Sequence, residues 1–133
     1  SVKIYIGGSL TGRARLANEA KYLIDSGHVV LSRWFSANTP IESLWNNQFN
    51  SEVSEVMAMR DTYDIMEADI VIIDSLEPST SGGRETELGL ALMRALIGHP
   101  LRIIHVGPYT NIFQNLVREH YGSWEELLED SGL

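Results

Sequence analysis

Short apolar runs rich in β-branched residues alternate along this chain with segments whose apolar positions recur every three or four residues, so the pattern reads as strand and helix in turn. Val2-Lys3-Ile4-Tyr5-Ile6 is a strand that stops at Gly7-Gly8-Ser9, and Leu10-Thr11-Gly12 continues the turn into a helix marked by Leu16, Ala20, Leu23 and Ile24. Gly27 closes that helix. His28 to Ser32 is a second strand, which carries Arg33-Trp34-Phe35 to the same edge of the sheet, and Ser36 to Pro40 is a loop. Ile41 to Glu67 is helical in period, with Leu44, Trp45, Phe49, Val53, Val56 and Met57 on one stripe. One helix of that length would span about 40 Å, too long for a small sheet, which predicts a break near Asn46 to Asn50. Ala68 to Asp74 is a third strand, apolar throughout as expected when both faces are covered.

A turn, Ser79-Thr80-Ser81-Gly82-Gly83, then opens a helix to Ile97 whose Leu88, Ala91, Leu92, Ala95 and Leu96 share a face. Gly98-His99-Pro100 stops it, Leu101 to Val106 is a fourth strand, and a short fifth is expected near Leu116. Ser123-Trp124-Glu125-Glu126 has the form of a capping box for a last helix. Alternation of this kind requires right-handed crossovers and a parallel sheet. The expected architecture is α/β: a three-layer, flavodoxin/Rossmann-like sheet of four to five strands with helices on both faces. All 133 residues form one domain.

In such sheets ligands bind at the carboxyl ends of the strands, near the switch in strand order. The loops after Ile6, Ser32 and Asp74 should therefore meet, bringing the glycine loop Gly7, Gly8 and Ser9 together with Trp34 and Glu87. The loop offers backbone donors to an anion or a sugar, though a tight turn explains its glycines equally. Its spacing fits neither a dinucleotide fingerprint nor a P-loop. Trp34 could stack on a planar base, while Phe35 is assigned to the core. Glu87 reads as a first-turn residue, where the helix dipole favours its anionic form and makes it a candidate nucleophile; acidic residues are also common there for purely local reasons. Asp61 and Asp64 share a helix side, and paired carboxylates raise each other's pKa, which suits a proton donor. Asp64 is the one assigned to solvated surface. Trp45 could form part of a lid or of the core.

The net charge of −8 tells against binding polymeric nucleic acid, though a single nucleotide needs no basic face. The chain has no cysteine, hence no disulfide framework and no thiolate chemistry. The four His lack metal-ligand spacing, and neither a metal nor a cofactor is expected. With no long apolar run and no leader-like start, a soluble, cytoplasmic protein without membrane contact is expected.

Three elements in order resemble the nucleoside 2-deoxyribosyltransferase family and its relatives that hydrolyse deoxynucleoside 5'-monophosphates. They are Tyr5-Ile6-Gly7-Gly8-Ser9, Asp61 ahead of Ala68-Asp69-Ile70-Val71, and Gly82-Gly83-Arg84-Glu85-Thr86-Glu87-Leu88-Gly89. The resemblance implies that Glu87 is the nucleophile, that Asp61 handles the proton at the leaving base, and that Tyr5 lies beside sugar and nucleophile. It implies a substrate contact at Gly83 and a monophosphate contact at Ser81. It further implies a homodimer or larger assembly in which a neighbour's loop closes the site, with Asn111 nominated for that loop. Arg84-Glu85-Thr86 departs from the small and aromatic residues often found before the Glu. The substrates implied are a nucleoside or nucleotide and a free nucleobase, with transfer of the sugar to a second base or hydrolysis as the two outcomes. Two non-enzymatic readings stand beside these. In one, Ile70-Val71-Ile72-Ile73-Asp74 with Pro78 mimics a phospho-receiver, although Gly7-Gly8-Ser9 replaces the acidic residues a receiver needs. In the other the chain is a nucleotide-sensing module.

Overall fold

The computed structural model describes residues 1–36, 51–79 and 81–133. The expected break near Asn46 to Asn50 and the placing of Leu44, Trp45 and Phe49 lie outside the described residues. Five parallel strands form one sheet in the order β2-β1-β3-β4-β5. They are β1 (Lys3–Gly7), β2 (Val29–Val30), β3 (Ile70–Asp74), β4 (Arg102–Val106) and β5 (Glu119–Tyr121). The helices are α1 (Arg13–Asp25), α2 (Glu52–Glu67), α3 (Gly83–Leu96) and α4 (Trp124–Asp130). This is the three-layer, Rossmann-like α/β fold, in its flavodoxin-like strand order. Strand order reverses between β1 and β3, so a crevice opens where Gly7 and Asp74 end their strands.

The sheet is centred on β3, whose five residues are all buried. Ile4 pairs with Ile70 and Ile6 with Ile72, while Val71 and Ile72 pair with Ile103 and Ile104 of β4. Leu16, Ala20 and Leu23 of α1 and Leu88, Ala91 and Leu92 of α3 are the apolar stripes that close over it. Burying each such side chain contributes roughly 1.5–3 kcal/mol.

Chain punctuation is local. Ser51 caps α2 by accepting from the Ser54 N–H, and Ser123 caps α4 by accepting from Glu126 N–H. The Glu126 carboxylate reaches back to the Gly122 N–H, one residue before the cap, instead of closing the expected capping box on Ser123. β2 is shorter than the pattern implies because the Ser32 hydroxyl, rather than a backbone carbonyl, accepts from Ile6 N–H and ends the ladder. The fifth strand begins beyond Leu116. Residues Ile112–Leu116 form a 3-10 turn capped by Asn111, and β5 is held to β4 by the two-pronged pair of Arg102 with Glu119 at 2.7 and 2.6 Å.

Asp74, 1% exposed, ends β3 in a closed network. It accepts from Trp124 Nε1 at 2.6 Å, from Arg15 at 2.9 Å and from Leu76 N–H at 3.0 Å. A phosphoacceptor aspartate must face solvent, so this enclosure removes the receiver reading. Replacing Asp74 with alanine strands three donors, and urea denaturation of that variant should show a loss of about 3–5 kcal/mol.

Candidate active site

The crevice between β1 and β3 holds a cavity of about 330 Å³. One wall is the β1 loop, Gly8 to Leu10, with Trp34 beside it. The α2 face of Ser54, Met57, Ala58 and Asp61 forms another, and Ser79, Ser81, Gly83, Arg84 and Glu87 close the third. Gly8, Ser9, Trp34, Asp61, Ser81, Gly83 and Glu87, all expected from the sequence, thus share one cavity.

Glu87 stands one turn deeper than the pattern suggested. Gly82, at φ +80°, precedes α3, so Glu85 is the first-turn acid and Glu87 belongs to the second turn. There the helix dipole no longer dominates. Its Oε2 is enclosed and has no hydrogen-bond partner among the described residues, and the Tyr5 hydroxyl, deep in the core, is in the same condition. A Cβ at Gly7 would come within 2.7 Å of that Oε2. Gly7 is therefore glycine because the carboxylate lies across the end of β1.

The surroundings of Glu87 oppose its anionic form, against the favour of the helix dipole. Burial pushes its pKa well above the ordinary carboxylate range, and the nearby Asp61 pushes it further, while the neighbouring Tyr5 hydroxyl pulls it down. Asp61 is itself raised to about 6, by burial first; Asp64 adds to the rise, while Arg60 and Arg33 oppose it. Tyr5 is raised by its burial and by Glu87 and Asp61. Three acidic groups thus converge in one desolvated place, and they titrate as a set.

Asp64 is not solvated surface. It is buried and holds Arg33, whose Nη2 lies 3.1 Å from both carboxylate oxygens. The salt bridge makes that burial tolerable. Trp34 is buried, its Nε1 donating to the Ile6 carbonyl at 2.7 Å, which leaves the rim of the indole toward the cavity. Phe35 meets it edge to face at 5.1 Å, as a core residue. Asn111 lies outside the cavity, its side chain accepting from Phe113 N–H.

Sequence reasoning missed Leu10, Ser54, Met57, Ala58 and Ser79 as lining residues. For α2 the signal was present: Ser54, Met57, Ala58 and Asp61 fall at i, i+3, i+4 and i+7. Among the described residues no group of three or more His, Asp or Glu side chains is placed to hold a metal ion. No helix there is long and apolar enough to cross a membrane.

No protein-family model matches the sequence, and no curated protein matches it either. Among solved structures, the fold is similar to that of a CMP N-glycosidase, BcmB, from Clostridium botulinum. The likeness has a TM-score of 0.56 and covers 98% of this chain and 99% of that one, at 14% identity. At that identity it establishes a shared fold.

The raised Asp61 pKa fixes a stability profile. The folded chain holds this proton more tightly than the unfolded chain, so the group's contribution falls as pH rises from 3.8 to about 6 and is level above. Asp61→Asn removes that loss. Urea titrations should find the variant equal to the parent near pH 4 and about 1–3 kcal/mol more stable above pH 6.

Proposed function

We propose that the chain is an N-glycosidic enzyme of the nucleoside 2-deoxyribosyltransferase type, cleaving the bond between sugar and base through a covalent intermediate on Glu87. The observation that carries this reading is the Glu87 carboxylate, buried against the cavity near Tyr5 and Asp61 with its Oε2 unpartnered among the described residues. A stable fold has no use for such a group, and perturbed acids gathered in a cleft are the usual mark of catalysis.

In the proposed reaction a Glu87 oxygen bonds to C1' as the C1'–N bond to the base breaks. The base leaves with a proton from Asp61, whose pKa of about 6 leaves a usable fraction protonated near neutrality. Positive charge growing on the sugar favours Glu87 as the carboxylate. The proton shared by the pair then rests on Asp61, where the leaving base needs it. The neighbouring Tyr5 hydroxyl favours the ionised Glu87. A second base, or water, then attacks C1' and frees Glu87, with net retention from two displacements. Trp34 and Met57 offer apolar contact to the base, and Gly7, Gly8, Ser9, Ser81 and Gly83 approach the sugar side.

Transfer to a second base is the first reading. Hydrolysis, with water as acceptor, is the second, and the fold shared with a CMP N-glycosidase supports it. A homo-oligomer accords with the exposed apolar side chains Val56, Met59 and Met66 of α2 and Met93 and Leu96 of α3. In such an assembly Asn111 of a partner copy would reach the cavity.

The test is incubation with deoxynucleosides and their monophosphates, with and without a second free base, followed by chromatography. Base exchange without free sugar marks transfer; free base with sugar or sugar phosphate marks hydrolysis. Glu87→Gln should lower kcat by at least about 10⁴-fold with the fold retained, and a fully active variant removes the mechanism. In the parent, activity should fall at low pH as the pair becomes fully protonated and at high pH as it loses its last proton. Because Asp61 raises the Glu87 pKa, Asp61→Asn should move the acid limb to lower pH and slow release of poor leaving bases.

A further inference from the structure

Arg84 is the one cationic side chain among the described residues lining the cavity, and no Lys or Arg lies between Arg33 and Arg60 or between Arg60 and Arg84. Its place invites the role of ligand for a substrate phosphate. The geometry assigns it elsewhere. Arg84 is 3% exposed, and each of its N–H groups already has an acceptor. Nε donates to Glu85 at 3.1 Å. Nη1 donates to the Glu77 carbonyl at 2.6 Å and, at the long limit of 3.5 Å, to the Asp74 carbonyl. Nη2 donates to Glu85 at 2.8 Å and to the Thr110 hydroxyl at 3.5 Å.

Glu77 is gripped from the other side as well. Its carboxylate takes Arg15 Nη2 at 2.6 and 2.9 Å and sits where a Cβ on Gly12 would stand. The next carbonyl, that of Pro78, accepts from the Ser9 hydroxyl at 2.8 Å. The turn between β3 and α3 is thus tied to α1 through Arg15, to the β1 loop through Ser9, and to α3 through Arg84. Glu85, which receives Arg84, also has Ser79 nearby; burial would raise its pKa, and Ser79 and Arg84 hold it below the ordinary range.

We propose that Arg84 is a positioning residue. It clamps the Glu77 carbonyl and the Glu85 carboxylate so that the turn bearing Ser79 and Ser81 and the helix bearing Glu87 keep one fixed relation across the cavity, and it does not bind substrate. The proposal rests on the function proposed above for its kinetic consequences only. A carboxylate nucleophile must meet C1' within a narrow range of distance and angle, and a displacement near 1 Å costs on the order of 100-fold in rate. Lysine reaches one carbonyl but cannot span two acceptors in a plane.

The test compares the parent chain with Arg84→Ala and Arg84→Lys in two measurements. The first is steady-state turnover of a deoxynucleoside and its 5'-monophosphate, with and without millimolar guanidinium. The second, which needs no substrate, is amide hydrogen exchange over residues 75–83. Arg84→Ala should lose about 10–100-fold in kcat, by one factor for both substrates, with KM within about threefold. Guanidinium should restore part of the loss, and Arg84→Lys should fall between. Exchange over residues 75–83 should rise about tenfold while β3 and the body of α3 keep their protection. A raised KM confined to the monophosphate would make Arg84 a phosphate ligand and overturn the proposal, as would unchanged exchange. If the alanine variant does not fold, the lysine variant carries both measurements. If the parent turns over no nucleoside or nucleotide, the proposed function fails while exchange still decides the role of Arg84.

Discussion

A carboxylate oxygen buried without a hydrogen-bond partner among the described residues is the constraint to which the rest of this molecule answers. Glu87 Oε2 lies over Gly7, beside Tyr5 and near Asp61, and burial is the largest cause lifting the pKa of all three ionisable groups. Leaving a buried polar group unmade costs roughly 1–3 kcal/mol. A domain of this size has a total stability of only about 5–15 kcal/mol, so the arrangement must be carried by a scaffold that is well satisfied elsewhere.

That scaffold is stiff where it touches the site. Trp34 is pinned to the Ile6 carbonyl, Asp74 is closed by Trp124 and Arg15, and the turn after β3 is held at Glu77 and Pro78 from three sides. All but the Arg84–Glu77 tie join elements distant in sequence at the carboxyl edge of the sheet, where the reversal of strand order leaves a gap. A cavity there follows from topology. Its chemistry follows from which side chains the stiff elements aim into it.

Hydrophobic period together with the Gly and Pro turn signals placed β1, β3, β4 and the helices α1 and α3 to within a residue or two, because period gives the type of element and the turn residues give its ends. It overextended β2, where Ser32 substitutes a hydroxyl for a ladder carbonyl, and it set the last strand too early, where Asn111 caps a 3-10 turn instead. These are local hydrogen-bond choices, which a pattern of apolar residues does not record. His105 and His120 are likewise unremarkable in sequence, yet the β4–β5 register sets them opposite each other with ring centroids 5.0 Å apart.

The order of residues by itself determined the layered parallel sheet, the edge at which a ligand site would lie, and part of the set of residues gathered there, since strand and helix periods dictate which ends of the chain converge. Tertiary structure decided the burial and the partners of that set. Asp64 became a buried partner of Arg33 instead of a solvated acid, Arg84 was drawn to the Glu77 carbonyl and the Glu85 carboxylate, and Glu87 lost the favour of the helix dipole to the cost of desolvation. Such outcomes depend on distances to groups remote in sequence and on the water those groups exclude, and both come into being only when the chain has folded.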